Sequence, residues 1–523
     1  MPTARGMASK WGLPALVVSV ACSGASPAST TSTGGGTSSS SGGGTSAGGG
    51  ADGSTSTGGS TSSGGASVTD AGGTTDTATP PPSDSGAPAL DPGISSVIGM
   101  VDSMRIMNDI VRLTQFTTRN TCSDNTSTGN AIGAARDFLR MRYQAIPGLN
   151  VSLDSFTYAG CASGQVTDQN VVAVKLGSTH KERVFVLGGH YDSRSYNSTD
   201  PTGVAPGAND SGSQTAVLLE AARLLAGLDF DATILFASFA AEEQGFHGSA
   251  QLAKDYAEYV APGAKIEAML AIDIIGGDNL ANDATALHQF RLFSPGTPRE
   301  FNLPMGVTDD ESPSRGLMRY IGYWGSRYVP AMTMIPVLRE DRPNIGSDHI
   351  SFINLGYPGV RFLDTNEYPN AAMPGGHRHT PDDLPKYITP EYAQHIGQIT
   401  MAVIASLARA PSSPQMPAAT GTAARVTINW SAPLTGPPVD HYVVAARPTS
   451  ENFLHTRFPV PKNQTSQSVS PDDLGVTGAA AFYISIAAVD AGGHESLFAY
   501  PEYRCDSMSC VVPPGSLDIT ARQ

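Results

Sequence analysis

Apolar and polar positions change pattern several times along the chain. Residues 11–21 form one short apolar run behind Arg5 and Lys10. The run is too short to span a bilayer but suits the apolar region of an export signal. From 23 to 93 the sequence is almost all Gly, Ser, Thr, Ala and Pro, without Lys or Arg. Such a segment buries too little apolar surface to offset its ordering entropy. It reads as a flexible tether with a reach of roughly 45 Å.

Patterned sequence begins near Ile94. Ile132, Ala135 and Leu139 fall at helical spacing behind Thr128-Gly129-Asn130. Residues 170–174 and 184–187 read as buried strands, 213–225 as a helix, 233–236 as a strand and 246–256 as a helix. Strands at 269–272 and 359–363 follow, then a closing helix over 392–408. The alternation predicts an α/β domain with a mixed, largely parallel central sheet sandwiched by helices. After the Pro/Ser-rich stretch 411–417 only strand patterns remain, at 426–430, 441–445 and 482–490. This all-β part resembles a fibronectin type III sandwich with Trp430 in its core. The expected organisation is a signal peptide over 1–22, a tether over 23–93, an α/β domain over 94–409 and a linker over 410–417. A sandwich over 418–503 and a tail over 504–523 complete it.

A chain of 523 residues allows two to four such domains. The tether explains why charged residues are only 15% while Gly reaches 57 and Pro 38. The formal net charge of −15, without basic runs, argues against nucleic acid as a partner. No apolar run is long enough for a spanning helix. Ser19-Val20-Ala21-Cys22-Ser23-Gly24 resembles a bacterial lipoprotein cleavage site, although Ser19 stands where Leu is usual. Cys22 is therefore a candidate lipid anchor, with ordinary secretion after cleavage near Ala21 or Ala25 as the alternative. Either way the chain is expected outside the cytoplasm, where the other cysteines, Cys122, Cys161, Cys505 and Cys510, form disulfides. Nearness favours Cys122–Cys161 and Cys505–Cys510. No Cys-x-x-Cys is present, which argues against a cysteine zinc ribbon.

The candidate chemistry gathers where predicted strands end, the usual place for ligands in open α/β sheets. His190 and Asp192 follow the 184–187 strand, Asp210 sits at a helix start, and Glu242 and Glu243 follow the 233–236 strand. Asp273 closes an apolar run, where a carboxylate is rare unless paired or metal-bound. His379 lies in the loop His377-Arg378-His379-Thr380-Pro381-Asp382-Asp383. Taken singly, each has an ordinary structural explanation, such as a helix N-cap for Asp210. Together, two imidazoles and three carboxylates are what two closely spaced zinc ions need.

Gly189-His190-Tyr191-Asp192-Ser193, Gly207-Ala208-Asn209-Asp210-Ser211-Gly212, Glu242-Glu243-Gln244-Gly245, Ile272-Asp273-Ile274-Ile275-Gly276 and His379-Thr380-Pro381-Asp382-Asp383 also occur in a recognisable order. Through them residues 94–409 resemble the co-catalytic zinc peptidase family of bacterial leucyl aminopeptidases, glutamate carboxypeptidases and glutaminyl cyclases. The resemblance implies a zinc aminopeptidase fold and two Zn2+. His190 and Asp273 would hold one ion, Glu243 and His379 the other, and Asp210 would bridge them. Asp192 would fix the His190 ring from outside the ligand set. Glu242 would be the general base. Some members carry a Tyr directly before the last His; Arg378 stands there here, as a candidate oxyanion or specificity residue.

The expected function is an exported aminopeptidase acting on peptide substrates. A carboxypeptidase, dipeptidase or N-acyl amidohydrolase would use the same metals, and a non-catalytic surface binding protein is the alternative from another class. Filled ligand positions for two metals argue against a one-metal cyclase. Ser347-Asp348-His349 looks like a hydrolase triad only in sequence, and adjacency does not make one. Tyr323, Trp324 and Tyr328 are read as packing residues, with a substrate pocket as the other possibility. The sequence leaves the oligomeric state open.

Overall fold

The computed structural model describes residues 67–69, 75–77, 88–126, 129–277, 285–295, 312–341, 345–365 and 376–513. The signal segment, Cys22 and nearly all of the tether lie outside the described residues. Eight strands form the central sheet: β1 (Asn150–Cys161), β2 (Gly164–Lys175), β3 (His180–His190), β4 (Ala232–Phe239), β5 (Lys265–Ile272), β6 (Gln289–Phe293), β7 (Thr333–Val337) and β8 (Gly359–Asp364). Their spatial order is β1-β2-β4-β3-β5-β8-β6-β7. The four strands at the centre, β4-β3-β5-β8, run parallel. β1 and β2 add antiparallel on one side, and the parallel pair β6-β7 joins antiparallel to β8 on the other.

The central strands are apolar without interruption because helices cover both faces. In β3, Phe185 and Leu187 enter the core beneath α2 (Ser103–Leu113), α3 (Ile132–Gln144), α4 (Gln214–Leu225), α6 (Pro313–Tyr328) and α8 (Pro390–Arg409). Val184 and Val186 enter the opposite core, under α5 (His247–Asp255) and α7 (His349–Ile353). Helix α1 (Pro92–Ile98) opens the domain two residues before the apolar pattern does. Asp91 caps it by accepting from Gly93 and Ile94 N–H at 2.6 and 3.1 Å.

Several elements carry no sequence pattern of their own. β1 lies at the sheet edge and alternates irregularly between exposed and buried. β6 reads Gln-Phe-Arg-Leu-Phe, yet all five residues are buried; Arg291 Nε donates to the Asp364 carbonyl at 3.0 Å.

The C-terminal part stacks a three-stranded sheet, β9 (Gln415–Thr422), β10 (Arg425–Ser431) and β13 (Ser466–Val469), on a five-stranded one. The latter contains β11 (Val439–Pro448), β12 (Phe458–Pro461), β14 (Phe482–Asp490), β15 (Tyr503–Cys505) and β16 (Cys510–Val511). Trp430, Tyr442, Val444 and Ile486 share its core. The sandwich packs on α6. Trp324 Nε1 donates to Glu495 at 3.3 Å, and Arg319 meets Glu502 at 2.8 Å. Tyr323 lies under the Arg457 guanidinium, which stands 3.6 Å from its ring centroid, so Tyr323 and Trp324 both pack at this junction, and the Tyr328 hydroxyl accepts from Asp91 N–H. The disulfides are Cys122–Cys161 and Cys505–Cys510.

Candidate metal centre

His190 is the last residue of β3 and Asp273 follows β5, so the parallel pairing of these strands sets their side chains together. His190 Nε2 lies 3.2 Å from Asp273 Oδ1 and 3.3 Å from Asp210 Oδ1. The other Asp210 oxygen, Oδ2, lies 3.1 Å from His379 Nε2, which is itself 3.1 Å from Glu243 Oε1. The structure therefore brings all five candidate ligands into two trios that share Asp210, buried except for the half-buried Glu243.

The donor set fits zinc. Two ligand atoms each about 2.0–2.1 Å from a tetrahedral zinc stand about 3.3 Å apart, close to the spacings observed. Asp210 Oδ1 and Glu243 Oε1 are buried and accept no hydrogen bond among the described residues. Orphaned carboxylate oxygens facing imidazole nitrogens are what a cation would satisfy.

The surroundings hold this geometry. His190 Nδ1 lies 3.1 Å from the Asp192 carbonyl and 3.4 Å from its carboxylate. The Asp192 carboxylate also accepts the backbone N–H groups of Glu242 and Glu243 at 3.3 and 3.2 Å. One side chain thus fixes both a histidine and the turn carrying the paired glutamates. That turn begins at Ala241, whose φ is +57°; Ile274 and His379, at +47° and +61°, are also left-handed. Such positions cost of order 1–3 kcal/mol each and persist only where the surroundings enforce them.

Four supporting residues escaped the sequence reading of the site. Asp383 accepts from Asn209 and Asp210 N–H at 2.8 and 3.0 Å, fixing the backbone that presents Asp210. Gln214 Nε2 donates to Asp273 at 3.2 Å. Arg361 contacts Asp273 at 3.0 Å and also pairs with Asp341. Arg194 Nε donates to Glu243 Oε2 at 2.6 Å. Only Asp383 had a signal, through its place in the His379 motif.

Charge separates the two glutamates. Burial raises the Glu243 carboxyl, but His379 and Arg194 outweigh it and hold the group well below the usual range. Burial drives Glu242 well above it; His190 opposes, while Asp273 and Glu243 push the same way. Burial likewise opposes the shift at Asp273, yet Arg361 and His190 hold it near 2.

These groups open on a cavity of about 500 Å3. Phe246, Ile274, Ile345 and Ile350 give it an apolar wall; Arg194, Glu340 and Arg378 add charge. Arg378 is mostly buried, with Nε 3.7 Å from Asp210 Oδ2. The 347–349 segment forms no triad: His349 Nε2 lies 3.1 Å from the Glu340 carbonyl.

Residues 170–404 match peptidase family M28. A probable zinc metalloprotease of Pyrenophora tritici-repentis is 31% identical over 442 residues, covering 79% of this chain and 98% of the relative. The chain belongs to peptidase family M28. Another probable zinc metalloprotease, from Phaeosphaeria nodorum, is 30% identical over 449 residues and is matched over 88% of its length, 79% of this chain. This M28 chain is thus a zinc-dependent metallopeptidase with the mixed α/β fold expected from its sequence. Among solved structures, the LapA aminopeptidase of Legionella pneumophila matches with a TM-score of 0.45 and 20% identity, over 60% of this chain and 73% of that one. A glutaminyl cyclase of Porphyromonas gingivalis matches with a TM-score of 0.44 and 19% identity, over 58% and 98%.

Proposed function

We propose that this M28 peptidase is an exported aminopeptidase built around two zinc ions. His190 and Asp273 would hold one ion, Glu243 and His379 the other, and Asp210 would take part in both sites. The carrying observation is the pair of trios sharing Asp210, with Glu242 buried beside them. When bound, the two ions supply a Lewis acid for the scissile carbonyl and a water of lowered pKa. Glu242 accepts a proton from the attacking water and returns it to the departing amine. Its raised proton affinity suits a group that must do both. Asp192 keeps the His190 ring and Glu242 in register, and Arg378 is placed to donate toward developing negative charge.

The aminopeptidase reading is supported by the cavity. Its apolar wall suits an apolar side chain, and Glu340 adds an acidic residue to the same lining. Arg194 and Arg378 in the same lining favour the second reading, a carboxypeptidase, dipeptidase or N-acyl amidohydrolase. Hydrolysis of leucyl-p-nitroanilide against its N-acetylated analogue, each with and without chelator, separates them. Chelator-sensitive cleavage of the free-amine substrate alone is expected. Cleavage of the acetylated analogue, or of neither while two zinc ions stay bound, would move the assignment to the second reading. We further read residues 1–22 as the export signal, Cys22 as a lipid anchor and the C-terminal sandwich as a fibronectin type III-like module. Mass spectrometry of the mature N-terminus tests the anchor.

A further inference from the structure

Arg119 sits in the polar stretch between α2 and α3 and is fully buried. Its guanidinium places every donor it has. Nε donates to the Tyr191 carbonyl at 2.7 Å; Nη1 donates to the carbonyls of Leu113 and Pro206 at 3.0 and 2.6 Å. Nη2 donates to the Gly207 carbonyl at 2.9 Å and to Ser211 Oγ at 3.4 Å. These acceptors are not scattered. Tyr191 stands between His190 and Asp192, while Pro206, Gly207 and Ser211 bracket Asp210. The backbone adds two more bonds, from Arg119 N–H to Ser193 Oγ and from Ser193 N–H to the Arg119 carbonyl.

Gly207 allows the approach: its φ is +56°, and a Cβ there would lie 2.9 Å from Arg119 Nη2 and 2.5 Å from the Asp210 carbonyl. A buried guanidinium is costly unless its surroundings offset the charge. Here the anionic field of Asp383, Asp192 and Asp210 offsets part of that cost, and burial still lowers the Arg119 pKa to about 10, so the guanidinium stays charged. Three residues on, Cys122 is bonded to Cys161 at the end of β1, which ties the segment to the sheet.

We propose that Arg119 is a positioning residue of the metal centre: its rigid fork clamps the 190–192 and 206–211 segments together and so sets the separation of His190 and Asp210. The inference rests on the two-zinc reading above. A lysine has the charge but three donors and no planar fork, and so cannot satisfy the same five acceptors.

The test uses Arg119→Lys in the full chain, with zinc affinity measured by chelator competition and the visible spectrum of the Co2+ form. The variant is expected to keep the wild-type far-UV circular dichroism, lose at least tenfold in Zn2+ affinity and alter the Co2+ spectrum. Excess Zn2+ should restore much of its turnover. A folded variant with unchanged Zn2+ affinity and an unchanged Co2+ spectrum would overturn the proposal. If the variant does not fold, Arg119→Gln decides. It removes the fork without leaving a buried charge, and its Zn2+ affinity should fall in the same direction; a folded glutamine variant with wild-type affinity overturns the proposal. A wild-type chain that binds no zinc would sink the two-zinc reading itself, a failure distinct from equal binding by wild type and variant.

Discussion

Replacing Glu502 by Ala should destabilise the junction between the sandwich and α6. Its carboxylate lies between two guanidinium groups, with Arg319 Nη1 at 2.8 Å from Oε1 and Arg447 Nε at 3.2 Å from Oε2. All three side chains are no more than 5% exposed. Arg319 belongs to α6 and Arg447 to β11, so Glu502 joins the two parts of the fold electrostatically. Removing one partner of a buried pair costs about 3–5 kcal/mol, because the remaining charge stays desolvated. Here two charges lose the same carboxylate. Each keeps a carbonyl: Arg319 Nε still donates to Asn452 at 2.9 Å, and Arg447 Nη1 to Glu451 at 2.8 Å. Those bonds hold the expected loss at the lower end, about 3 kcal/mol. Gln at this position keeps an acceptor and the volume; its loss should be nearer the roughly 1.5–3 kcal/mol of a charge-assisted hydrogen bond. Urea unfolding followed by tryptophan fluorescence suits the assay, because Trp324 lies at the junction and Trp430 in the sandwich core. Glu502 does not line the catalytic cavity, so zinc content and turnover of the folded variant should match wild type. A loss below about 1 kcal/mol would refute the reasoning, since that is the scale of an exposed ion pair. Separate wild-type transitions for the two tryptophans would refute it as well.

Glu242→Gln should keep its metal, by elemental analysis, while turnover falls about 10²–10⁴-fold, the usual worth of a general base; near-normal turnover would remove Glu242 from that role. Glu243→Gln should instead lose one ion per chain in the same measurement. His494 lies 2.7 Å from Asp91 and 2.9 Å from Asp490, and Asp91 also bonds Arg409. Burial lowers the His494 pKa, but the two carboxylates outweigh it and raise it above 6.5. Its stabilising effect is thus full below 6.5 and lost as pH rises through the folded-state value. The Asp91 carboxyl is raised by burial but held down near 2 by His494, Ile94 N–H and Arg409, so its effect is present above 3.8 and fades as pH falls toward 2. His494→Asn should therefore lower Tm clearly at about pH 6 and less at about pH 9; equal losses at both would contradict the assignment. Gly346→Ala would bring a Cβ within 2.3 Å of Ile350 Cδ1 and 3.0 Å of Phe246 Cζ. It should raise KM for leucyl substrates relative to alanyl ones, and an unchanged ratio would show that this wall does not contact the substrate side chain.

What the sequence made legible was local. The five candidate ligands stand in short motifs, and three of them, His190, Glu243 and Asp273, flank strands whose apolar runs come from burial on both faces, so position and chemistry coincided. Asp273 was readable because a carboxylate closing an apolar run needs a partner. The partner itself was not readable. Arg361 reaches Asp273 because β8 pairs parallel with β5, placing Arg361 beside Ala271 and Phe362 beside Ile272. That register is a property of the folded sheet and leaves no trace in either segment alone. The same holds for Arg119, whose acceptors are almost all main-chain carbonyls and so carry no residue identity. Strands β1 and β6 escaped for a related reason: an edge position and a buried arginine each break the alternation by which strands are recognised. Sequence therefore exposes the groups that do chemistry, which need particular side chains. It conceals the groups that aim them, which need only to arrive at a backbone atom. Here the concealed groups are largely arginines, and a reason lies in the site itself. Asp192, Asp210, Glu242, Glu243 and Asp273 are all buried in one place, and their mutual repulsion must be offset before any metal binds. Fixed cations at Arg119, Arg194 and Arg361 supply that offset, the first from the buried backbone around the site and the other two from the cavity wall, where they pair with Glu243 and Asp273.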